Sequence, residues 1–410
     1  MMTKFAKVLA AGAAAAMLLG AGACGASNSG SGSDSKTATI TVWSAAEDQA
    51  KKDSWLQTME AAFEKEHPEY KITWKNSVVT SADAATTVKQ DPAAAADVYQ
   101  FASDQLGALV DAQAIGELSD DATKQVKEQN DETLVNSVTG TDGKLYGVPL
   151  SGNTWFMYYN KSKFSADDIK SFNTMLQKGK VTFNIANSWY LPSFYVGDGM
   201  TIFGKKGTDA KAGIQPGPHA AEVTEFLTSL MKNPNFVLDN NADNAGLAAM
   251  KNGTADVYFS GTWSAQDMKE ALGDNYAAAQ LPSFTLDSGT YQMKSFAGST
   301  SVAYNPNAKN AKIAAQFAAF LGSTQAQKKH YEMRQIIPAD KSLESMVADD
   351  PAAKAQIDTL ANTSIIQPTL TEMSNFWDPC ENFGTAITTG DVTAANAAEK
   401  TQAWFDAYKK

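Results

Sequence analysis

Four times along the chain, a large aromatic side chain follows small polar residues instead of lying in an apolar stretch. Such positions place a flat ring beside hydrogen-bonding groups. That pairing suits a sugar, whose ring has apolar C–H faces and a rim of hydroxyls. A single aromatic residue more often belongs to a core, so it is the recurrence that predicts a carbohydrate site. The four motifs are Asn153-Thr154-Trp155, Asn187-Ser188-Trp189-Tyr190, Ser260-Gly261-Thr262-Trp263 and Ser374-Asn375-Phe376-Trp377.

Residue types that carry out catalysis are poorly represented at useful spacings. His67, His219 and His330 are scattered and lack neighbouring metal ligands, which predicts solvated or turn roles for them. The chain has no nucleophile elbow, HExxH, phosphate-binding loop or dinucleotide-binding fingerprint. We therefore predict no enzyme, no metal and no cofactor. A secreted glycan hydrolase stays as an alternative, because two carboxylates facing each other across a cleft leave no sequence signature.

Composition excludes further classes of protein. With 410 residues the chain is long for one hydrophobic core, so two domains are expected. The formal net charge of −11, with no basic stripe to offset it, disfavours nucleic acid as a partner. Of the two cysteines, Cys380 is predicted to be a small buried hydrophobic residue, and Cys24 lies in a processing signal.

The N-terminus predicts export and a lipid anchor. Lys4 and Lys7 precede an Ala/Leu/Met run and small residues, which is typical of a signal peptide covering 1–23. The sequence Ala21-Gly22-Ala23-Cys24-Gly25 resembles a bacterial lipobox in which alanine replaces the usual leucine, and ordinary cleavage with a free Cys24 thiol is the alternative. A Ser/Gly-rich tether follows, over 24–36. We predict lipidation of Cys24 and an extracellular protein anchored to the cell membrane.

The mature chain begins as β-α-β. Apolar and threonine side chains alternate over 39–42, and 70–74 is again strand-like. Between them, Trp55, Met59 and Phe63 recur at helical spacing. This order is typical of an open α/β sheet, and strand and helix patterns continue to alternate toward a helical tail. Two α/β lobes are expected, with a ligand cleft at the carboxyl ends of their strands.

Several motifs together resemble a known family. They are 248–255 followed by Tyr258-Phe259-Ser260-Gly261-Thr262-Trp263, Met373-Ser374-Asn375-Phe376-Trp377, Tyr146-Gly147-Val148-Pro149, and 183–190. Over 37–410 the chain resembles the extracellular solute-binding proteins of sugar ABC transporters, in the maltose/maltodextrin-binding group. The resemblance implies a two-lobed periplasmic-binding-protein-like fold (type II) with discontinuous lobes. The N-terminal lobe would hold 37–152 and 297–325, and the C-terminal lobe 153–296 and 326–410, with crossings near 151–153, 295–299 and 323–327.

The resemblance also implies which residues bind the ligand. From the C-terminal lobe, the rings expected to stack on sugar are Trp189, Tyr190, Trp263 and Trp377. From the N-terminal lobe, the expected contacts are Glu47, a small platform at Phe101 and a hydroxyl acceptor at Asp104. Other positions depart from the best-known maltose binders: Asn153 and Asn187 replace carboxylates, Asp48 replaces a lysine, and Gln105 and Glu381 replace arginines.

These departures leave the sugar open. We expect an α-gluco-oligosaccharide such as maltodextrin, with galacto-, xylo- or another oligosaccharide as the alternative. The expected role is capture of the sugar, closure of the lobes around it and delivery to the membrane subunits of an ABC importer. The protein is expected to act as a monomer, without a cofactor or nucleic acid, and to contact the membrane through its N-terminal lipid.

Overall fold

A computed structural model describes residues 36–49, 52–90, 95–240 and 245–409. The predicted signal peptide, Cys24 and all but the last residue of the predicted tether lie outside the described residues. Within those ranges, no helix has both the length and the apolar character needed to cross a membrane.

The described residues form fifteen strands and seventeen α-helices. The strands are β1 Lys36–Ser44, β2 Tyr70–Val78, β3 Val98–Ala102, β4 Val148–Asn153, β5 Phe156–Asn160, β6 Val181–Phe183, β7 Thr201–Ile202, β8 Ile214–Gln215, β9 Phe236–Leu238, β10 Val257–Ser260, β11 Tyr276–Ala279, β12 Ser283–Leu286, β13 Gly289–Gln292, β14 Ser295–Tyr304 and β15 Ser364–Ile366. The helices are α1 Ala46–Gln49, α2 Trp55–Glu66, α3 Ala84–Gln90, α4 Leu106–Asp111, α5 Asp120–Gln129, α6 Glu132–Ser137, α7 Phe172–Lys178, α8 Pro192–Gly197, α9 Ala220–Leu230, α10 Ala245–Lys251, α11 Ala265–Leu272, α12 Ala311–Leu321, α13 Thr324–Arg334, α14 Glu344–Val347, α15 Pro351–Asn362, α16 Trp377–Thr389 and α17 Ala397–Ala407.

The N-terminal lobe is built on a six-stranded sheet of order β15-β14-β3-β1-β2, with β4 also paired to β14. Strand β1 runs parallel to β2 and β3, as the β-α-β start of the sequence predicted. Its alternating Ile40 and Val42 are buried against helices α2 and α12, where Phe63 and Phe317 meet edge to face at 5.2 Å. Ser54 starts α2 by accepting a hydrogen bond from the Gln57 amide.

The C-terminal lobe has a five-stranded sheet of order β11-β5-β10-β6-β9. Strand β10 is central, antiparallel to β5 and parallel to β6. The core beside this sheet is rich in aromatic side chains: Phe172, Phe183, Phe194 and Phe259 are buried and pack edge to face or stacked at 5.2–6.3 Å. This core holds the base of the loops that follow β6 and β10.

The chain passes between the lobes where β4 leads into β5 and where β14 begins. There the Thr154 hydroxyl donates to the Phe296 carbonyl at 2.8 Å. A third crossing, expected at 323–327, is wrong. Helix α13 packs on α2 of the N-terminal lobe, with Ala326 buried in that core and its carbonyl accepting from Trp55 Nε1 at 3.0 Å. Asp340 is still bonded to Gln129 of α5 and Gln327 of α13, so the chain stays against this lobe beyond α13 and the predicted boundary after residue 325 lies too early.

Candidate functional site

A cavity of about 650 Å³ opens between the two lobes, within the size range of ligand sites. Glu47, just after β1, and Asn153, at the end of β4, line it from the N-terminal lobe and the hinge. Trp263, just after β10, lines it from the C-terminal lobe. Loops that follow strand ends thus supply the lining from both lobes, as expected for an open α/β fold.

Trp263 is the most exposed large ring at this site, with 55% of its surface accessible. It lies in a short turn after β10, and its ring covers Gly261 so closely that any Cβ at Gly261 would overlap it. The Gly-Thr-Trp motif therefore has a steric origin: the glycine lets the ring lie flat over its own backbone. An accessible aromatic face beside polar groups is a surface that can stack on a sugar.

Trp189 lies next to Trp263, with ring centroids 5.9 Å apart and planes tilted by 30°. Two hydrogen bonds fix its position: Nε1 donates to Gln367 Oε1 at 2.9 Å, and the backbone amide donates to Asn187 Oδ1 at 2.8 Å. Asn187 was expected to bind the ligand. Its side-chain oxygen Oδ1 instead holds the backbone of Trp189 in place. Together Trp189 and Trp263 make a two-ring surface.

Tyr190 continues this surface into the lobe. Its ring is half-buried against Trp155, with centroids 4.8 Å apart. Burial raises the pKa of the Tyr190 hydroxyl, so the group stays protonated and can donate a hydrogen bond.

Trp377 opens helix α16 and is half-buried, with its ring edge-on to Phe296 at 5.9 Å. Gly384 of α16 lies directly against the Ile185 carbonyl, so this helix packs on the loop that carries Trp189. Gln367 bonds Trp189 by its side chain and Ala297 by its backbone amide. Trp189 and Trp377 both pack against the core of the C-terminal lobe, and of the three predicted tryptophans Trp263 alone lines the cavity.

Phe101 cannot serve as the predicted platform. Its ring is fully buried in the core of the N-terminal lobe, beside Tyr99 and Leu106, and it lies close against Gly147. Strand β3 is central in its sheet and is buried over 98–101, so it has no solvent-facing side. The sequence Val98-Tyr99-Gln100-Phe101 does not alternate strictly between apolar and polar residues. This lack of alternation was the sequence feature that could have predicted a strand buried on both faces.

Asp104 sits in the turn after β3, beside the segment that leads to Trp377. The amide of nearby Gly107 donates to the Thr369 carbonyl at 3.0 Å, which joins that turn to the segment. The side chain keeps some exposure but is largely surrounded by protein, and this burial raises the pKa of Asp104 to about 6. A carboxylate in this position can accept hydrogen bonds from hydroxyls.

The family model for bacterial extracellular solute-binding proteins matches residues 58–355, more than half of the chain. The chain belongs to this family. A solved structure determined with acarbose is 43% identical to this solute-binding protein, covering 90% of this chain and 98% of that one with a TM-score of 0.85. A maltooligosaccharide ABC transporter solute-binding lipoprotein of Streptococcus pneumoniae is 28% identical, covering 84% of each chain. A galactooligosaccharide-binding protein of Bacillus subtilis is 27% identical, covering 88% of this chain and 87% of that one.

Helix α13 adds cavity residues that sequence reasoning missed, among them His330 and Arg334. His330 was predicted to be solvated or in a turn, and this is wrong: its ring is buried and stacks on Trp55 at 3.9 Å. His330 Nε2 lies 2.9 Å from Asp48 Oδ1, a contact between residues 282 positions apart. No local pattern could have revealed it.

The remaining departures from the family pattern have local uses. Gln105 turns inward, where its Oε1 accepts from the Ala85 amide at 2.7 Å, and Glu381 is exposed on α16. Glu47 is exposed at the start of α1, free to meet a ligand from the cavity wall.

Cys380 is buried as predicted. Across the cavity, Lys269 and Asp350 of the C-terminal lobe form an ion pair at 3.3 Å.

Proposed function

We propose that this solute-binding protein captures an α-gluco-oligosaccharide outside the cell and delivers it to an ABC importer. The observation that carries the proposal is the exposed Trp263 ring on the wall of a cavity that both lobes line, with the half-buried Trp189 ring 5.9 Å beside it. A gluco-oligosaccharide presents successive apolar ring faces at a similar scale, and the 30° tilt between the two planes suits a curved chain. The acarbose-bound structure and the maltooligosaccharide-binding relative support the same class of ligand.

The geometry also supports a mechanism of capture. The stacking rings belong to the C-terminal lobe, whereas the acceptors Glu47 and Asp104 belong to the N-terminal lobe. A sugar can stack on the rings of the C-terminal lobe and also donate its hydroxyls to the carboxylates of the N-terminal lobe. It makes both sets of contacts only when the two lobes are close together. Such differential contact shifts the population toward the closed form, which the importer can then recognise.

Isothermal titration calorimetry with maltose, maltotriose and maltotetraose tests the proposal, with galacto- and xylo-oligosaccharides as competitors. Saturable binding of the gluco-series is the expected result. Trp263→Ala should weaken it by about 2 kcal/mol, roughly thirtyfold in Kd, since the ring is a stacking surface. Leu238→Ala, a half-exposed side chain at the sheet edge outside the cavity, is the matched control and should bind normally. Absence of binding to every gluco-oligosaccharide would remove the proposal.

A galacto-oligosaccharide is the second candidate, because the Bacillus subtilis relative is named for that ligand. The same titrations separate the two. Galacto-oligosaccharide binding tighter than maltotetraose binding would decide for the second candidate and would leave the role in import unchanged.

The protein should release its bound sugar without altering it chemically. Maltotetraose incubated with the protein and then chromatographed is expected to be recovered at full length. Shortened products that disappear when Glu47 or Asp104 is replaced by its amide would indicate a hydrolase instead.

We also propose that the protein works as a monomer, held at the membrane by lipid on Cys24, which fits the lipoprotein name of the pneumococcal relative. Mass spectrometry of the N-terminal peptide should show an acylated Cys24, and Cys24→Ser should release the protein into the medium. A free N-terminal Cys24 thiol on the released wild-type protein would contradict the anchor.

A further inference from the structure

We propose that Arg334 is a ligand contact and specificity determinant, which binds sugar hydroxyls from the N-terminal wall of the cavity, and that Asp48 and His330 are positioning residues that aim it. The inference rests on the proposed function, because it takes the 650 Å³ cavity to hold sugar. None of these three positions carried a predicted ligand contact.

Asp48 is the anchor of the arrangement. Only 4% of its surface is exposed, and its two oxygens are each taken by a neighbour: Oδ1 lies 2.9 Å from His330 Nε2, and Oδ2 accepts from Gln100 Nε2 at 3.1 Å. Burial by itself raises the pKa of Asp48, but its interactions with His330, Gln100 and Arg334 outweigh burial and lower the pKa overall. The carboxylate is therefore charged and fixed in orientation.

Arg334 meets this anchor at one side only. Its Nε is buried and lies 3.5 Å from Asp48 Oδ1, an ion pair without a hydrogen bond, and the side chain keeps 32% exposure while lining the cavity. Within the described ranges, Arg334 has no second carboxylate partner, and its Nη groups make no hydrogen bond. A guanidinium has five N–H donors in a rigid plane, so an anchored Arg334 has donors left over beside the cavity.

A purely structural ion pair explains this arrangement less well. Burying a charge carries a desolvation penalty that pairing often fails to recover, so a helix gains little stability from placing Asp48 and His330 inside the lobe wall. The fixed partners do, however, hold an arginine stem in place, which reduces the conformational entropy lost when it binds a ligand. Oriented donors in a cavity are the feature that a hydroxyl-rich ligand uses.

The position of Arg334 relative to Trp263 indicates what it recognises. Both line the same cavity, Trp263 from the C-terminal lobe and Arg334 from the N-terminal lobe. A glycosyl unit stacked on Trp263 would hold its hydroxyl rim around the edge of the stack, where the planar fork of Arg334 beside it can meet two neighbouring hydroxyl oxygens. Recognition of this kind depends on the orientation of those hydroxyls and therefore discriminates between sugars.

Calorimetry of the full mature chain with maltotetraose tests the inference. Arg334→Gln should weaken binding about tenfold to a hundredfold, the effect of losing hydrogen bonds from a charged donor. Arg334→Lys, which keeps the charge but not the fork, should fall between it and wild type. Lys329→Gln is the matched control on the same helix: its amine is exposed, pairs with Glu332 and lies outside the cavity, so binding should be unchanged.

A double-mutant cycle separates positioning from stability. If Asp48 acts through Arg334, then Asp48→Asn weakens wild-type binding but adds little to Arg334→Gln, whereas independent effects would multiply. Arg334→Gln removes only a partly exposed side chain, so the test stands even if the Asp48 variants do not fold. Binding by Arg334→Gln within twofold of wild type would overturn the inference. Failure of wild type to bind maltotetraose would instead overturn the proposed function.

Discussion

Replacing Asp104 by asparagine tests whether the charge on this largely buried carboxylate destabilises the unliganded fold. Burial raises the pKa of Asp104 from its ordinary value of 3.8 to about 6. A folded-state pKa above the unfolded value means that the folded protein holds the proton more tightly. The stabilising contribution is therefore present below pH 3.8 and is lost as the pH rises through about 6.

The size of the effect follows from this interval. The difference between 3.8 and about 6, at about 1.4 kcal/mol per pH unit, gives an upper limit of roughly 3 kcal/mol. Because the side chain keeps some contact with solvent, about 1–3 kcal/mol is the expected range. Asp104→Asn removes the ionisation and should raise the free energy of unfolding at pH 8 by this amount.

Urea unfolding of the unliganded protein at pH 8 and pH 4 measures the change, provided that both transitions are two-state. The advantage of Asp104→Asn should be large at pH 8 and should shrink toward zero at pH 4. In the same protein, maltotetraose binding at pH 8 should weaken by about 1–3 kcal/mol, because a neutral amide replaces a charged acceptor. Asp349→Asn, at an exposed position, is the control. A variant no more stable than wild type at pH 8, or an advantage that does not depend on pH, would refute the reasoning.

Three further substitutions probe the ring surface and its support. Gly261→Ala should displace the Trp263 ring, because the new Cβ overlaps it, and should weaken sugar binding about tenfold in calorimetry without a contact to sugar. Phe101→Ala should lower the free energy of unfolding by about 3–5 kcal/mol while leaving maltotetraose affinity at low temperature near wild type, since the ring is core and not platform. Trp189→Phe keeps an aromatic ring but removes the hydrogen bond to Gln367. Calorimetry should show sugar binding weaker by about 1 kcal/mol, and tryptophan fluorescence should report a less ordered ring surface. Unchanged binding would show that this hydrogen bond has no role in sugar binding.

Local sequence patterns captured several of the strands and helices and the exposed Trp263 ring, because each of these depends on neighbours a few residues away. The alternation at 39–42 and the spacing of Trp55, Met59 and Phe63 are of this kind. The position of Trp263 was also readable, since a glycine and small polar residues must precede a ring that folds back over its own backbone.

Other features depend on contacts far apart in the chain. A crossing between the lobes was expected near 323–327, yet this segment continues into a second helix that packs on the same core, and only the burial of Ala326 against Trp55 reveals this. Likewise, the contact of Asp48 with His330 joins helix α1 to helix α13, between residues 282 positions apart. Such pairings follow from tertiary packing, which a single sequence leaves undetermined.

The two lobes contribute to binding in different ways, and this bears on the order of events. The ring surface of the C-terminal lobe is set before a ligand arrives, because Trp189 is held by Gln367 and Asn187, and Tyr190 by Trp155. In the N-terminal lobe, Asp104 is charged at neutral pH in a place that disfavours charge. If Asp104 binds sugar as proposed, hydroxyl donors relieve that penalty only when a sugar stacked on the rings is brought to it by closure. Closure without sugar would leave the penalty in place, so under this proposal the closed state should be sparsely populated until ligand supplies the difference.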